Sequence, residues 1–368
     1  MIRRQLISYG AKSTDFRMGY GALSEFSRMV SHVVATPKRS LVVTREDLEE
    51  GAGLEVSRAL VDAGFSVDVL KLPAEGSAST LERGMELYGK LDTCGITMDD
   101  VVVGFGDSDL CALTGFCART WCGGTSYVLV PTTLDAMATA ATSSVALDLG
   151  ASREMASVEP RAALVVCDLD LVRSCDRDSL LLGFVDLLAA SLIDSRRQWD
   201  RFGGLVEGLV EGDEVALLDT LGMAQTSRAA VINSSNPSAR NALQFGVTTG
   251  RALREALGED APWYRLLAEG MRFEARLAHD VCGLEIDDVF DLDDRLEDLG
   301  IAELPFALSR DRFVEALKST RFKRTNRFMF SLPRHPGTVR FTVVDDDVLE
   351  RHADAYLAAR AGLLEDRG

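Results

Sequence analysis

Two stretches of the chain carry residues whose type and spacing suit binding chemistry. Val101-Val102-Val103-Gly104-Phe105-Gly106-Asp107-Ser108 is an apolar, β-forming run that enters a glycine-bearing turn ahead of a helical pattern. Glycines at such a turn let backbone N–H groups approach a pyrophosphate at a helix N-terminus. Ser108 adds a hydroxyl donor, whereas Asp107 brings a negative charge that is unfavourable beside a phosphate. The second stretch, Arg321-Phe322-Lys323-Arg324-Thr325-Asn326-Arg327, places four cations within seven residues of a chain of net charge −17. It reads either as a positive patch for an anion or as a solvated loop. Metal chemistry is poorly served. The four histidines, His32, His279, His335 and His352, have no acidic or histidine partner at i, i+4 that reads as a site. Of seven cysteines, Cys111, Cys117 and Cys122 cluster without a metal spacing, so the set reads as buried thiols of a reducing compartment.

The elements that must position these groups change character along the chain. Short apolar runs at 39–44, 65–70, 100–106, 127–130 and 162–167 alternate with helical patterns at 46–63, 79–91 and 111–119. That alternation predicts a parallel sheet with helical crossovers. Beyond about residue 176 the spacing of apolar residues predicts helices over 180–199, 205–231, 239–257 and 263–281, then a solvated acidic helix and linker over 285–299. A hairpin over 328–332 and 339–344, turning at Pro336-Gly337, and a final helix over 347–364 complete the reading. Two domains result, an α/β nucleotide-binding-like domain at 1–175 and a mainly α-helical one at 176–368, with a ligand expected in the cleft between them.

Composition narrows the function classes. With 46% hydrophobic and 26% charged residues the chain is ordinary globular material. Its net charge of −17 repels phosphate backbones and anionic lipid, so neither nucleic acid nor a membrane surface is an expected partner. No apolar run approaches the roughly 20 residues of a membrane helix, and no signal core follows the charged start, so a cytoplasmic protein is expected.

Gly115-Phe116-Cys117-Ala118-Arg119-Thr120-Trp121-Cys122-Gly123-Gly124-Thr125-Ser126-Tyr127-Val128-Leu129-Val130-Pro131-Thr132-Thr133-Leu134 runs a small-residue helix end into an apolar strand and a Pro-Thr-Thr turn. This run closely resembles the dehydroquinate synthase family, the NAD-dependent sugar phosphate cyclases. The resemblance extends from about residue 40 to 344. It includes Ser238-Ala239-Arg240-Asn241-Ala242-Leu243-Gln244-Phe245-Gly246, similar to the family's Gly-Leu-Arg-x-x-Leu-Asn-Phe-Gly run. Leu72-Pro73-Ala74-Glu75-Gly76-Ser77-Ala78-Ser79 is similar to its Pro-Gly-Glu-x-x-Lys-Ser turn. The resemblance implies an NAD-binding α/β domain joined to a helical domain, often as a homodimer. It implies NAD contacts at Gly104, Gly106, Ser108, Glu75, Thr132 and Thr133, and substrate-anion contacts at Arg240 and Gln244. The cations Arg321, Lys323 and Arg324 stand where the family has Asp-Lys-Lys. The family reaction oxidises a hydroxyl with NAD, eliminates phosphate, reduces the ketone and closes a carbocycle by aldol addition, with a zinc or cobalt ion polarising the reacting oxygens.

The departures lie where that chemistry is concentrated. The family's metal-binding Glu is Asp186 in Gly183-Phe184-Val185-Asp186. Its two ligand histidines are Val247, in Phe245-Gly246-Val247-Thr248-Thr249-Gly250-Arg251, and Trp263. A catalytic zinc ion needs at least three protein ligands, so no catalytic metal is expected. Two of three consecutive glycines have become Asp107 and Ser108, the acid after the first strand is Arg45, and the turn lysine is Ala78. Ala189, Ala151-Ser152, Gly123 and Thr139 replace a lysine, a lysine–asparagine pair, an arginine and an acid. NAD binding stays open. The leading reading is a diverged, metal-independent lyase or cyclase acting on a small anionic or polar intermediate of specialised biosynthesis. Arg240 and the 321–327 cations would orient the substrate, and Asp186 would be acid or base. A catalytically inactive homologue pairing with an active partner subunit, and a genuine cyclase with a non-standard metal site, stand as alternatives.

Overall fold

The computed structural model describes residues 1–365 except 11, 35–37, 49, 151, 259–260 and 323–327. The chain divides into two compact units, Met1–Gly183 and Phe184–Gly368.

The first unit opens with an antiparallel pair, β1 (Arg3–Tyr9) and β2 (Lys12–Gly19), and α1 (Phe26–Val33). It continues through β3 (Arg39–Arg45), α2 (Ala52–Asp62), β4 (Ser66–Leu72), α3 (Leu81–Thr93), β5 (Val101–Gly106), α4 (Ser108–Thr120), β6 (Ser126–Pro131) and α5 (Leu134–Thr139). A hairpin of β7 (Val145–Leu149) and β8 (Ser152–Val158), then β9 (Leu164–Asp168), follow, and α6 (Arg177–Asp194) runs across the division at Gly183 into the second unit. The large sheet has the order β1-β2-β9-β6-β5-β3-β4 and is parallel except between β1 and β2. Strands β5 and β9 are buried at every position, as strands covered on both faces must be. On one face Val42, Val103, Val128 and Leu164 share a core with Phe26 and Met29 of α1 and Val56 and Leu60 of α2. The β1–β2 and β7–β8 hairpins have no counterpart in the sequence reading. β1 is an edge strand with one solvated face, so its Arg-Arg-Gln-Leu-Ile-Ser-Tyr run lacks the continuous apolar signature of the buried strands.

The second unit is helical, as expected. It contains α7 (Arg196–Gly203), α8 (Val206–Glu211), α9 (Glu214–Ile232), a 3₁₀ turn at Pro237–Gln244, α10 (Val247–Leu257), α11 (Trp263–Cys282), α12 (Ile286–Asp298) and α13 (Arg310–Phe322). The hairpin of β10 (Met329–His335) and β11 (Thr338–Val343) turns at Pro336-Gly337, and α14 (Asp346–Glu365) closes the unit. Three expected helices are each interrupted, the 180–199 pattern at Ser195, whose hydroxyl caps α7 by accepting from the Gln198 N–H at 3.3 Å. The 205–231 pattern breaks at Gly212, whose φ of 78° ends α8, and Asp213, which caps α9 by accepting from the Ala216 N–H at 2.7 Å. The 239–257 pattern breaks at Gly246, with φ 81°. α12 is not fully solvated either, because Val289, Leu292 and Leu296 are buried. No described helix is long and apolar enough to cross a membrane.

Candidate functional site

In the first unit the C-terminal ends of β3, β4 and β5 meet at one cluster of polar groups. β3 ends on Arg45, whose Nε donates to Asp107 Oδ2 at 2.8 Å. Its Nη1 donates to the carbonyl oxygens of Pro73 (3.0 Å), Ala74 (3.3 Å) and Gly76 (3.0 Å), the turn that follows β4. Asp107 also caps α4, its Oδ1 accepting from the Leu110 N–H at 2.9 Å. The negative charge expected to face a phosphate is therefore paired with a cation that the sequence reading had not joined to it. Ser108, expected as a free donor, instead donates to Asp135 Oδ2 at 2.6 Å. Gly104 and Gly106 answer to packing: a Cβ at 104 would lie 2.7 Å from Thr114 Oγ1, and one at 106 would lie 3.0 Å from a Leu110 methyl. Thr132 ties β6 to β5 through its N–H, donated to the Gly106 carbonyl at 2.9 Å, and Thr133 occupies the N-cap position of α5 without a side-chain cap bond. Glu75 is exposed in the turn after β4.

Asp135 escaped the sequence reading. It is 5% exposed, and burial pushes its carboxyl above the usual range, against the opposing bond from Ser108. Its signal was a lone acid within the apolar stretch 127–141. It lies one helical turn before Thr139, the position where the resemblance implies an acid, and Thr139 Oγ1 donates back to the Asp135 carbonyl at 2.7 Å. The thiols of Cys111, Cys117 and Cys167 are buried and shifted upward by desolvation, which keeps them protonated and unreactive.

In the second unit Val247 and Trp263 are the first residues of α10 and α11. The Arg254 guanidinium stacks 4.3 Å from the centre of the Trp263 ring, and Gly250 leaves room for the indole, since a Cβ there would lie 3.2 Å from Trp263 Cη2. Neither Val nor Trp offers a lone pair to a metal. Among the described residues no group of three or more His, Cys, Asp or Glu side chains is placed to hold one. The donor set at 186, 247 and 263 therefore does not fit a catalytic zinc or cobalt ion. Asp186 is half-buried on α6. Arg240 is exposed in the 3₁₀ turn and its Nη2 donates to the Ile232 carbonyl at 3.4 Å, while Gln244 is half-buried at the end of that turn. The side chain of Arg321, and Lys323 and Arg324 entirely, lie outside the described residues.

A second residue that escaped the sequence reading, Glu274 of α11, organises the start of α10. Fully buried, it accepts from the N–H groups of Gly246 (2.7 Å) and Thr249 (3.1 Å) and from Thr249 Oγ1 (2.9 Å). The carboxyl thus caps α10 from the neighbouring helix. Burial pushes its pKa from 4.5 up to about 7, outweighing the three donors that lower it. The unfolded chain releases this proton first, so stability is full below about pH 4.5 and falls as pH rises toward 7, by up to about 3 kcal/mol. Tm measured across that window should fall in wild type, and Glu274→Gln should flatten the slope.

Comparison with known proteins places these features in context. Residues 69–181 match the family described as 3-dehydroquinate synthase N-terminal. A 3-dehydroquinate synthase of Thermobifida fusca is 27% identical over 370 residues, covering 96% of this chain and 94% of that protein. A 2-epi-5-epi-valiolone synthase from Streptomyces hygroscopicus subsp. jinggangensis, solved with NAD+ and Zn2+ bound, superposes with a TM-score of 0.82 at 19% identity, covering 97% of this chain and 99% of that one. A 2-deoxy-scyllo-inosose synthase complexed with carbaglucose-6-phosphate, NAD+ and Co2+ gives 0.83 at 16% identity, covering 95% and 99%.

Proposed function

The chain belongs to the dehydroquinate synthase-like sugar phosphate cyclases, and from that premise we propose that it is a diverged cyclase-type enzyme that works without a metal ion at the inherited ligand positions. Its substrate is a small anionic or polar intermediate of specialised biosynthesis, a sugar phosphate being the first choice because a structural neighbour holds carbaglucose-6-phosphate. The observation that carries the reading is the pair Val247 and Trp263, the latter stacked by Arg254, where the resemblance implies two histidine ligands.

Elimination removes the proton α to a carbonyl as the C–O bond breaks and phosphate leaves with its electron pair, and aldol ring closure removes one proton to form the enolate and delivers one to the oxygen of the attacked carbonyl. Asp186, a half-buried carboxylate, is the group we assign to that transfer. Arg240 and Gln244 orient the anionic end of the substrate, the guanidinium by paired N–H donation to a carboxylate or phosphate. NAD+, which both solved cyclases hold, supplies hydride transfer when bound. In this chain the polar side chains at the start of α4 already have partners, Asp107 with Arg45 and the Leu110 N–H, and Ser108 with Asp135. The same reading takes the enzyme as a cytoplasmic homodimer.

The test is release of inorganic phosphate from a panel of six- and seven-carbon sugar phosphates. Asp186→Asn should lower kcat/KM on the accepted substrate by at least about a hundredfold with an unchanged circular dichroism spectrum. Full activity in that variant would remove Asp186 from the mechanism.

A further inference from the structure

The sheet of the first unit reverses its strand order between β3 and β5: β4 lies on one side of β3, and the chain then returns to place β5 on the other. In open α/β sheets, ligands enter the crevice beyond the strand C-termini at such a reversal. Here that crevice is flanked by Arg45, the last residue of β3, and by Gly106 and Asp107, where β5 gives way to α4.

An ion pair spans it. Arg45 is 10% exposed at its side chain, and Asp107 33%. The guanidinium joins three strand ends, reaching Asp107 from β3 and the Pro73, Ala74 and Gly76 carbonyls after β4. Both Asp107 oxygens are used, one by Arg45 and one by the Leu110 N–H. A pyrophosphate arriving at the start of α4 would meet a carboxylate in place of open donors, and the nearest cation would be committed to that carboxylate.

We infer that Arg45 and Asp107 together set the dinucleotide affinity of this chain, the pair holding the crevice closed and its release freeing the guanidinium for the incoming pyrophosphate. This inference rests on the reading of the first unit as a cyclase-family nucleotide domain. Charge alone makes a simpler account, in which any acid at the start of α4 repels the phosphates. The two accounts separate at Asp109, a carboxylate of the same helical turn that is bonded to Ser77 Oγ at 2.5 Å and has no part in the pair.

The experiment is calorimetric titration of the full-length protein with NAD+. Asp107→Asn keeps an amide oxygen to cap α4 while removing the ion pair, and it should bind NAD+ at least about tenfold more tightly than wild type. Asp109→Asn should stay within about twofold of wild type. The inference is overturned if Asp107→Asn binds no better than wild type, or if Asp109→Asn gains as much. Should Asp107→Asn melt early, Asp107→Ser, which also retains a cap oxygen, takes its place with the same criteria. Failure of the family reading shows separately, as absence of phosphate release by the wild-type enzyme.

Discussion

Glu269→Ala should destabilise the second unit by about 3 kcal/mol, because it removes the carboxylate that two buried guanidinium groups share. Glu269 of α11 is 0% exposed, as is Arg272 one turn later. Its carboxylate accepts from Arg272 Nη1 at 3.0 Å, the Leu304 N–H at 2.9 Å, Arg360 Nε at 2.6 Å and the Tyr356 hydroxyl. Arg272 continues to the Ile301 carbonyl at 2.7 Å, and Arg360 to Glu303 at 2.7 Å. The cluster thus joins α11 to α14 and to the segment that follows α12. Without Glu269 the two guanidiniums lose the anion they share and keep their desolvation cost. Urea denaturation followed by circular dichroism reads the change. A loss below about 1 kcal/mol would show that water or a local shift rescues both cations.

Gly270→Ala should cost about 3 kcal/mol or more, against the roughly 1 kcal/mol gain that alanine usually brings inside a helix. A Cβ at 270 would lie 2.0 Å from the Gly246 carbonyl oxygen and 2.8 Å from the Gly250 nitrogen. Both neighbours are backbone, so no rotamer change relieves the overlap and α10 must move away from α11. Gly246 itself has φ 81°, a left-handed conformation that alanine resists. Gly89 of α3 is the control: nothing lies within 4 Å of its added Cβ, so Gly89→Ala should stabilise. Thermal melts of the two variants should therefore shift in opposite directions.

The core strands were legible because both faces of the sheet are covered, which makes β5, β6 and β9 largely apolar runs and gives β3 its Leu41-Val42-Val43 centre. Of the two edge strands, β4 was legible at 65–70, but β1 was not, since its run Arg3-Arg4-Gln5-Leu6-Ile7-Ser8-Tyr9 is largely polar and buries only Ile7. Helical periodicity found the second unit but passed through Gly212 and Gly246, because a single glycine does not disturb a 3.6-residue pattern. The motif residues were readable one at a time, and their partners were not. Arg45 and Asp107 are 62 positions apart, Ser108 and Asp135 27, and Glu274 and Gly246 28. Only the fold brings them together. Glu269, Arg272 and Glu274 left a faint trace, as charged residues on a helix otherwise buried from Leu266 to Ala275.

Valine at 247 and tryptophan at 263, by contrast, are legible at single positions, and the metal independence proposed from them can be tested directly. The decisive measurement is phosphate release from the accepted sugar phosphate before and after chelation, on protein whose metal content has been determined. Well under one equivalent of zinc or cobalt per chain and an unchanged rate after chelation are expected. Stoichiometric metal, with activity lost on chelation and restored by adding the ion back, would contradict metal independence.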